Sequence, residues 1–507
     1  MVFTADQPSL YDLLFENGQD PDTPAIESPG SLPLSFGGLR DQAAGTIRFL
    51  NGLGFSTSSR VAVVTPDHPV TGVLILSVMT GCTCAPLNPR YTAEEYERSF
   101  RQLRIDAVIV EEHDNRAART AAARCGLPVI GMIPDGNRAG TFVLRPDFPG
   151  TGNAIFGSGS DTLILLQTSG TTSTTRIVPL THRLICRVAQ RVCGTFAFTP
   201  RDRCLHIAPY YHTMGIMGSF IAPLCAGGTV ICPKDFIPSD LPPLLKEFRP
   251  TFYAAGPAMH AAILKVLKTI PPAELQGHSL RHIRSSSASL PGTVREELER
   301  VLGVPVIESY GMSEVGGTIS TNLPPGKQGS VGRPVIDELA IIDENGNTLP
   351  PLQEGEIAVR GPCVFSGYDD SSPEENASLF TNGWFRTGDT GFLDDEGYLH
   401  LTGRKKELIN KGGEKISPAE VDAALLKHPA VADALCFRID DPSLGEEIGA
   451  LVVVQGPAPA LTAGELRGYL AGQLSPHKIP LKFFFVDTIP RTPQGKPLRS
   501  AATRMYS

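Results

Sequence analysis

Short β-branched runs recur along this chain, each separated from the next by a stretch of helical density. Val61-Ala62-Val63-Val64, ended by Pro66, is followed by an apolar stretch from Val70 to Met79. Cys84-Ala85-Pro86-Leu87 and Asp106 to Val110 continue the rhythm. It returns at Cys204 to Ala208, Thr229 to Cys232 and Val304 to Ser309. Such alternation predicts parallel sheets with helices on their faces. After about Asp343 the texture changes. Gly355 to Arg360 and Gly397 to Leu401 read as half-buried strands with turn signals between them, which predicts a small antiparallel subdomain. Pro418 to Lys427 reads as a helix with proline at its start. The hundred or so residues at the C-terminal end suffice for a small α+β domain.

The chain has 507 residues, enough for about three domains. With 41% apolar and 19% charged residues it is globular rather than disordered. A net charge of −8 argues against a nucleic-acid binder, which needs clustered cations against phosphate. The ten cysteines are scattered and form no C-x-x-C pair, so buried free thiols in a reducing compartment are expected. Met1 to Asn17 lacks the pattern of a signal peptide, and no window approaches ~20 uninterrupted apolar residues. The end, Met505-Tyr506-Ser507, is not a peroxisomal address. A cytoplasmic protein with no membrane span is expected.

The strongest local signal runs from Leu163 to Arg176. An apolar strand enters Thr168-Ser169-Gly170-Thr171-Thr172-Ser173-Thr174-Thr175, a loop dense in hydroxyls with a cation, Arg176, at its end. Backbone N–H groups and hydroxyls can converge on anionic oxygens while a cation offsets their charge. Composition alone also fits a solvated turn. The loop is not the G-x-x-x-x-G-K-[ST] of P-loop NTPases. It resembles the signature loop of the adenylate-forming superfamily, usually T-S-G-T-T-G-x-P-K. Thr168 to Thr172 match, whereas Ser173 replaces Gly, Thr175 replaces Pro and Arg176 replaces Lys.

Five further motifs follow in that family's order. Pro209-Tyr210-Tyr211-His212-Thr213-Met214-Gly215 places His212 where the family borders the acyl site. Tyr310-Gly311-Met312-Ser313-Glu314 matches Y-G-x-T-E, so the resemblance implies that Tyr310, with Gly311 and Ser313, takes the nucleotide and Glu314 takes Mg²⁺. Asp389, in Trp384-Phe385-Arg386-Thr387-Gly388-Asp389, matches the aspartate that accepts the ribose hydroxyls, and Arg404 matches a second ribose contact. Lys406 matches the hinge. Lys411, Gly412 and Gly413 match a segment that suits a pantetheine channel, where glycine permits close backbone approach. Lys496, in Gln494-Gly495-Lys496, matches the mobile catalytic lysine.

The resemblance covers about Tyr11 to Arg499. It implies an α/β large domain over 1–402, with parallel sheets flanked by helices and the β subdomain at about 335–402. A hinge at 403–407 and a small mobile α+β domain over 408–507 complete it. It also implies an acyl-CoA synthetase using ATP, Mg²⁺ and CoA: a carboxylate gives acyl-adenylate and pyrophosphate, then a thiol displaces AMP. An amine or carrier-protein thiol is the alternative acceptor, and a non-catalytic nucleotide-binding protein is a third reading. Ala85 to Pro89, Val178 to His182, Arg284 to Leu290 and Gly329 to Val335 look most like the oxalate–CoA ligase branch, in which Ser287 and Ser289 match positions near the acid. That branch has histidine where this chain has Met214 and Gly317. Losing two imidazoles removes donors for a dianion and opens space. Met214, Gly316 and Gly317 are therefore expected to shape a deeper, mostly apolar pocket for a medium-chain, branched or aromatic acid.

Overall fold

The helix Pro69–Met79 is buried at every one of its eleven positions. A helix apolar on all sides has to be covered on all sides, and this one forms the middle of the large domain. Pro69 occupies its first turn, and the His68 side chain caps it by accepting from the Val70 N–H. It packs on the strands Arg60–Val64 and Thr83–Pro86 and on the π-helix Met214–Ile221. A computed structural model describes residues 9–16, 18–66, 68–145, 153–168, 175–411, 414–442, 444–455, 461–492 and 495–506.

Among the described residues, two large sheets face each other across this layer. The first has seven strands in the order Phe142–Arg145, Val129–Pro134, Ala107–Glu111, Arg60–Val64, Thr83–Pro86, Thr162–Gln167, Ile177–Thr181. Its inner five are parallel and both edges antiparallel. The second has nine, with six parallel strands at its centre: Val306–Met312, His282–Ser285, Phe252–Ala255, Arg203–His206, Thr229–Ile231 and Pro24–Glu27. Successive side chains of a strand point to opposite faces. Val61 and Val63 thus join Cys204, Val230 and Phe252 in one core between the sheets, while Ala62 and Val64 pack outward against Tyr96 and Phe100. The outer face of the second sheet buries Leu205, Tyr253 and Ile283 under the helices Pro257–Leu267 and Gly292–Leu302.

A third sheet is antiparallel, built from Glu338–Ile342, Gly355–Arg360, Phe380–Thr381, Trp384–Leu393 and Leu399–Arg404. The fourth sheet belongs to the C-terminal part. It contains Ile409–Lys411, Glu414–Ile416, Val431–Asp441, Gly445–Val454 and Lys482–Phe485, and Pro418–Leu425 and Ala463–Ala471 share its core. The fold is the expected mixed α/β one. All ten cysteines are free thiols, eight of them buried. Among the described residues no helix is long and apolar enough to cross a membrane.

One hairpin was not legible in the sequence. The strand expected to end at Ser309 continues to Met312 and pairs antiparallel with Gly317–Thr321. Gly311 permits it, because a Cβ there would lie 1.9 Å from the Gly317 carbonyl oxygen.

Gly72 tests how tightly the central helix is held. A Cβ at this position would lie 2.7 Å from ring atoms of both Phe220 and Tyr210. Overpacking of this kind typically costs about 1–3 kcal/mol. Gly72→Val is therefore expected to lower the urea midpoint of the large domain correspondingly; an unchanged midpoint would show that the layer has room to spare.

Candidate active site

The site begins with a cross-strand pair. Asp389 and Arg404 sit directly opposite each other on neighbouring antiparallel strands, so the Arg404 Nε reaches the Asp389 Oδ1 at 3.0 Å. Tyr310, on the nine-stranded sheet, donates its hydroxyl to the other carboxylate oxygen at 2.6 Å. Asp389 is buried, and both of its oxygens are engaged from different sheets. Burial and the adjacent carboxylate push the Tyr310 hydroxyl far above its ordinary pKa, so it stays a donor. Four residues on, the 3₁₀ turn Ser313–Val315 buries Glu314. Burial raises the Glu314 pKa, although the Tyr368 hydroxyl donates to its Oε1 at 2.8 Å.

Tyr368 also connects Glu314 to the hydroxyl-rich loop. The Arg176 guanidinium lies over the Tyr368 ring, 5.4 Å from its centroid, and donates to the Ser371 hydroxyl. At the base of the loop the Thr168 N–H donates to the Arg176 carbonyl at 2.9 Å, and the Arg176 N–H donates to the Thr168 hydroxyl at 3.2 Å. These bonds pin the two ends together. Ser169, Gly170, Thr171 and Thr172 lie outside the described residues.

His212 precedes the π-helix that starts at Met214. No described residue hydrogen-bonds its Nε2. Burial, reinforced by the Lys496 charge, pulls its pKa down to about 4. The Met214 sulfur accepts a bond from the Ser286 hydroxyl at 3.1 Å. Ser287, in a left-handed conformation (φ +77°), and Ser289 are exposed on the loop that follows.

The C-terminal part completes the cluster. Lys496 feels Arg404, Asp389 and Glu314, and burial with the neighbouring guanidinium lowers its pKa. The turn that carries it is closed by the Thr492 N–H donating to the Lys496 carbonyl at 2.7 Å. Gly495 (φ +80°) presses against the large domain, where a Cβ would lie 3.2 Å from the Ala258 Cβ. Lys496, His212, Glu314, Asp389 and Arg404 thus converge from distant points of the chain.

Other expected site residues sit elsewhere. Lys411 is held within the small domain by the buried Glu447, at 2.8 Å. Gly412 and Gly413 lie outside the described residues, and Lys406 is exposed in the turn Lys405–Glu407. Gly316 does not deepen a pocket as expected. A Cβ there would lie 2.9 Å from Val188 and 3.1 Å from Leu184, so glycine serves helix packing and a turn at φ +67°. Gly317 does face open space: nothing lies within 4 Å of where its Cβ would be. Tyr368 and Ser371 were missed, because an aromatic and a serine in a polar stretch carry no motif. What positions Tyr368 is the Asn376 side chain, which accepts its N–H at 2.8 Å and donates to its carbonyl at 2.9 Å.

The profile of the family described as "AMP-binding enzyme" matches residues 15–369, and that of its C-terminal domain matches residues 420–496. The chain belongs to the AMP-binding enzymes. Oxalate–CoA ligase of Arabidopsis thaliana is 35% identical over 94% of both chains. Sulfoacetate–CoA ligase of Cupriavidus necator is 33% identical over 97% of both. Among solved structures, ATP-bound MatB from Rhodopseudomonas palustris superposes with a TM-score of 0.88, at 28% identity and 98% coverage of each chain. The apo form of the same MatB gives a TM-score of 0.79.

Half-buried His212 and the buried His182, His206, His260 and His282 of the large domain have pKa values pulled down to between about 3 and 4. Their unfolded value is about 6.5. Between these limits the unfolded chain binds more protons than the folded one, so stability falls as pH drops from about 6.5 towards 4. Each ring contributes up to about 1.4 kcal/mol per pH unit across that window. Urea unfolding of His212→Asn is expected to take up about one proton fewer than wild type at pH 5. Equal uptake would mean that His212 is charged in the folded protein.

Proposed function

We propose that this chain is an AMP-forming acid–CoA ligase, activating a carboxylic acid with ATP and passing the acyl group to the thiol of CoA. The observation that carries this reading is Lys496 of the small domain standing beside Glu314, Asp389, Arg404 and His212 of the large one. A cation delivered to a half-buried site can stabilise charge that develops when a carboxylate attacks the α-phosphate. The names of the relatives, which are acid–CoA ligases, support the same chemistry.

The residues fit ATP with Mg²⁺. The Tyr310 ring offers a flat face for the adenine, and the Asp389 carboxylate, with free lone pairs on both oxygens, suits the ribose diol beside Arg404. Glu314 is a single carboxylate, and among the described residues no group of three or more His, Cys, Asp or Glu could hold a metal. A hard dication bound by one carboxylate takes its remaining ligands from phosphate and water, which fits Mg²⁺ carried in on the nucleotide. Bound there, Mg²⁺ offsets phosphate charge. Arg176, Thr168 and the loop of Ser169 to Thr172 would receive the departing pyrophosphate, with Tyr368 and Ser371 fixing the guanidinium. His212, neutral at pH 7, can border the reacting carboxylate without adding charge.

In the first half-reaction the acid's carboxylate displaces pyrophosphate at the α-phosphorus. In the second, a thiol displaces AMP at the acyl carbon. We assign the change between them to rotation of the small domain about Lys406, which withdraws Lys496 and brings the Lys411–Gly413 segment to the thiol. Ten free cysteines suit a reducing compartment, and we place the enzyme in the cytoplasm. The acid is larger than oxalate. Open space at Gly317 and the thioether of Met214 favour a medium-chain, branched or aromatic frame.

Pyrophosphate release with ATP and Mg²⁺ across acids from oxalate to aromatic, with and without CoA, tests this. Turnover that needs one of the larger acid classes and CoA is the expected result. Oxalate outrunning every larger acid in kcat/KM would overturn the acid assignment. Acid-dependent release that CoA does not accelerate would overturn the acceptor and point to an amine or a carrier-protein thiol.

Lys496→Ala separates the halves. We expect adenylation to fall by about 10²–10³-fold or more, while thioester formation from supplied acyl-adenylate is spared. Equal loss in both would remove Lys496 from its assigned role.

A further inference from the structure

Four consecutive residues, Tyr368 to Ser371, each hold a different part of the phosphate site. The Tyr368 hydroxyl donates to Glu314 at 2.8 Å. The Asp369 N–H donates to the Ile177 carbonyl at 3.0 Å. The Ile177 N–H in turn donates to the Asp370 carboxylate at 3.1 Å. The Ser371 hydroxyl accepts from the Arg176 guanidinium. Ile177 opens the strand by which the hydroxyl-rich loop returns to the seven-stranded sheet, and Arg176 stands just before it. The strip of four therefore runs beside the exit of that loop and reaches Glu314 with its other end.

The strip is anchored from outside the site. Arg60, the first residue of its strand, donates to both oxygens of the Asp369 carboxylate, at 2.7 and 2.9 Å. Arg104, which caps the helix Ala93–Leu103, donates to the same carboxylate. The Asp369 and Arg60 side chains are 16% and 21% exposed, so this pair is only partly screened by water. A two-pronged guanidinium–carboxylate pair fixes direction as well as distance. A second brace lies at Thr175. The Gln102 side-chain amide donates to the Thr175 carbonyl at 2.7 Å and to the Asp370 carboxylate at 3.0 Å. Thr175 stands where the family pattern has proline, so no ring fixes φ at the loop exit. Side chains of the helix and the strip hold that exit instead.

We infer that Asp369 is a positioning residue for the step that releases pyrophosphate. Held by Arg60 and Arg104, it fixes the strip against Ile177 and so sets the spacing between Glu314 and the Arg176 guanidinium. On the ligase reading above, on which this rests, Glu314 takes Mg²⁺ and Arg176 receives the departing phosphates. Their spacing then matters only while those phosphates are present, and the transfer to the thiol involves none of them. A loosened strip would slow adenylation and leave thiol transfer alone. Placement counts at this scale, because a shift of about 1 Å can cost about 100-fold in rate.

Asp369→Asn keeps the shape of the side chain and the backbone bond to Ile177 but gives up the charge that the two arginines hold. The two half-reactions are measured separately, using the best acid of the panel above and its supplied acyl-adenylate. The kcat/KM for MgATP in pyrophosphate release is expected to fall by about 10–100-fold, while thioester formation from the adenylate and CoA stays within about twofold of wild type. The KM for pyrophosphate should rise in the reverse reaction, in which pyrophosphate cleaves the acyl-adenylate to ATP and the free acid. Arg60→Lys keeps the charge but loses the fork, so it should show the same split. It decides the question alone if Asp369→Asn does not fold. Equal losses in both halves would overturn the inference and leave the ligase reading standing, since a purely structural role predicts that result. Unchanged kinetics in both variants would do the same. Absence of release by the wild type with any acid would instead overturn the ligase reading, and the role of Asp369 with it.

Discussion

The active site depends on one carboxylate shared by a tyrosine and an arginine. Asp389 takes the Tyr310 hydroxyl on one oxygen and the Arg404 guanidinium on the other. Tyr310 belongs to the nine-stranded sheet, Asp389 to the antiparallel sheet, and Arg404 is the last residue of that sheet before the small domain. Three parts of the chain are therefore tied at a single buried charge. Removing any one of the three would leave a polar group without its partner, which costs more than the bond contributed. The tie also places Glu314, four residues after Tyr310, and Lys496, which reaches the same cluster from the other side.

Among the described residues, the small domain meets the large one through contacts of two kinds. Close approach comes first: the Ser417 hydroxyl donates to the Thr402 carbonyl, and Gly495 lies against Ala258. Charge comes second, through Lys496. The small domain is held by its own ion pairs, such as Arg499 with Asp422, and Arg499 also reaches Glu407 of the hinge. A domain with a firm interior can change its seat without unfolding.

Much of this was legible in the sequence. Most of the β-branched runs became strands with ends within one or two residues of those expected, because short β-branched runs suit strands buried on both faces. The motif residues Glu314, Asp389, Arg404 and Lys496 are polar groups in fixed local contexts, and they meet. What was not legible depends on tertiary approach. Gly316 looked like open space and proved to be a contact with the helix His182–Thr195, since only the fold shows which side of a glycine is filled. Tyr368 acts through Glu314 and Arg176, which are far from it in sequence. The backbone at Gly317 (φ +131°) adds a further point. A histidine is rarely found in that conformation, so its replacement by glycine changes the shape of the chain as well as its chemistry.

The balance of charge in the cluster argues for how the seat is controlled. Three cations, Arg176, Arg404 and Lys496, stand against two carboxylates, Glu314 and Asp389. Lys496 carries the excess, and its pKa is depressed by burial and by Arg404, which means that its ammonium is disfavoured where it sits. Phosphate anions brought into the cluster would reverse that sign, because an adjacent negative charge favours the protonated amine. Their departure would restore the repulsion. In the proposed mechanism, the electrostatics that would let Lys496 stabilise a reacting phosphate would also weaken its hold once the phosphates had left.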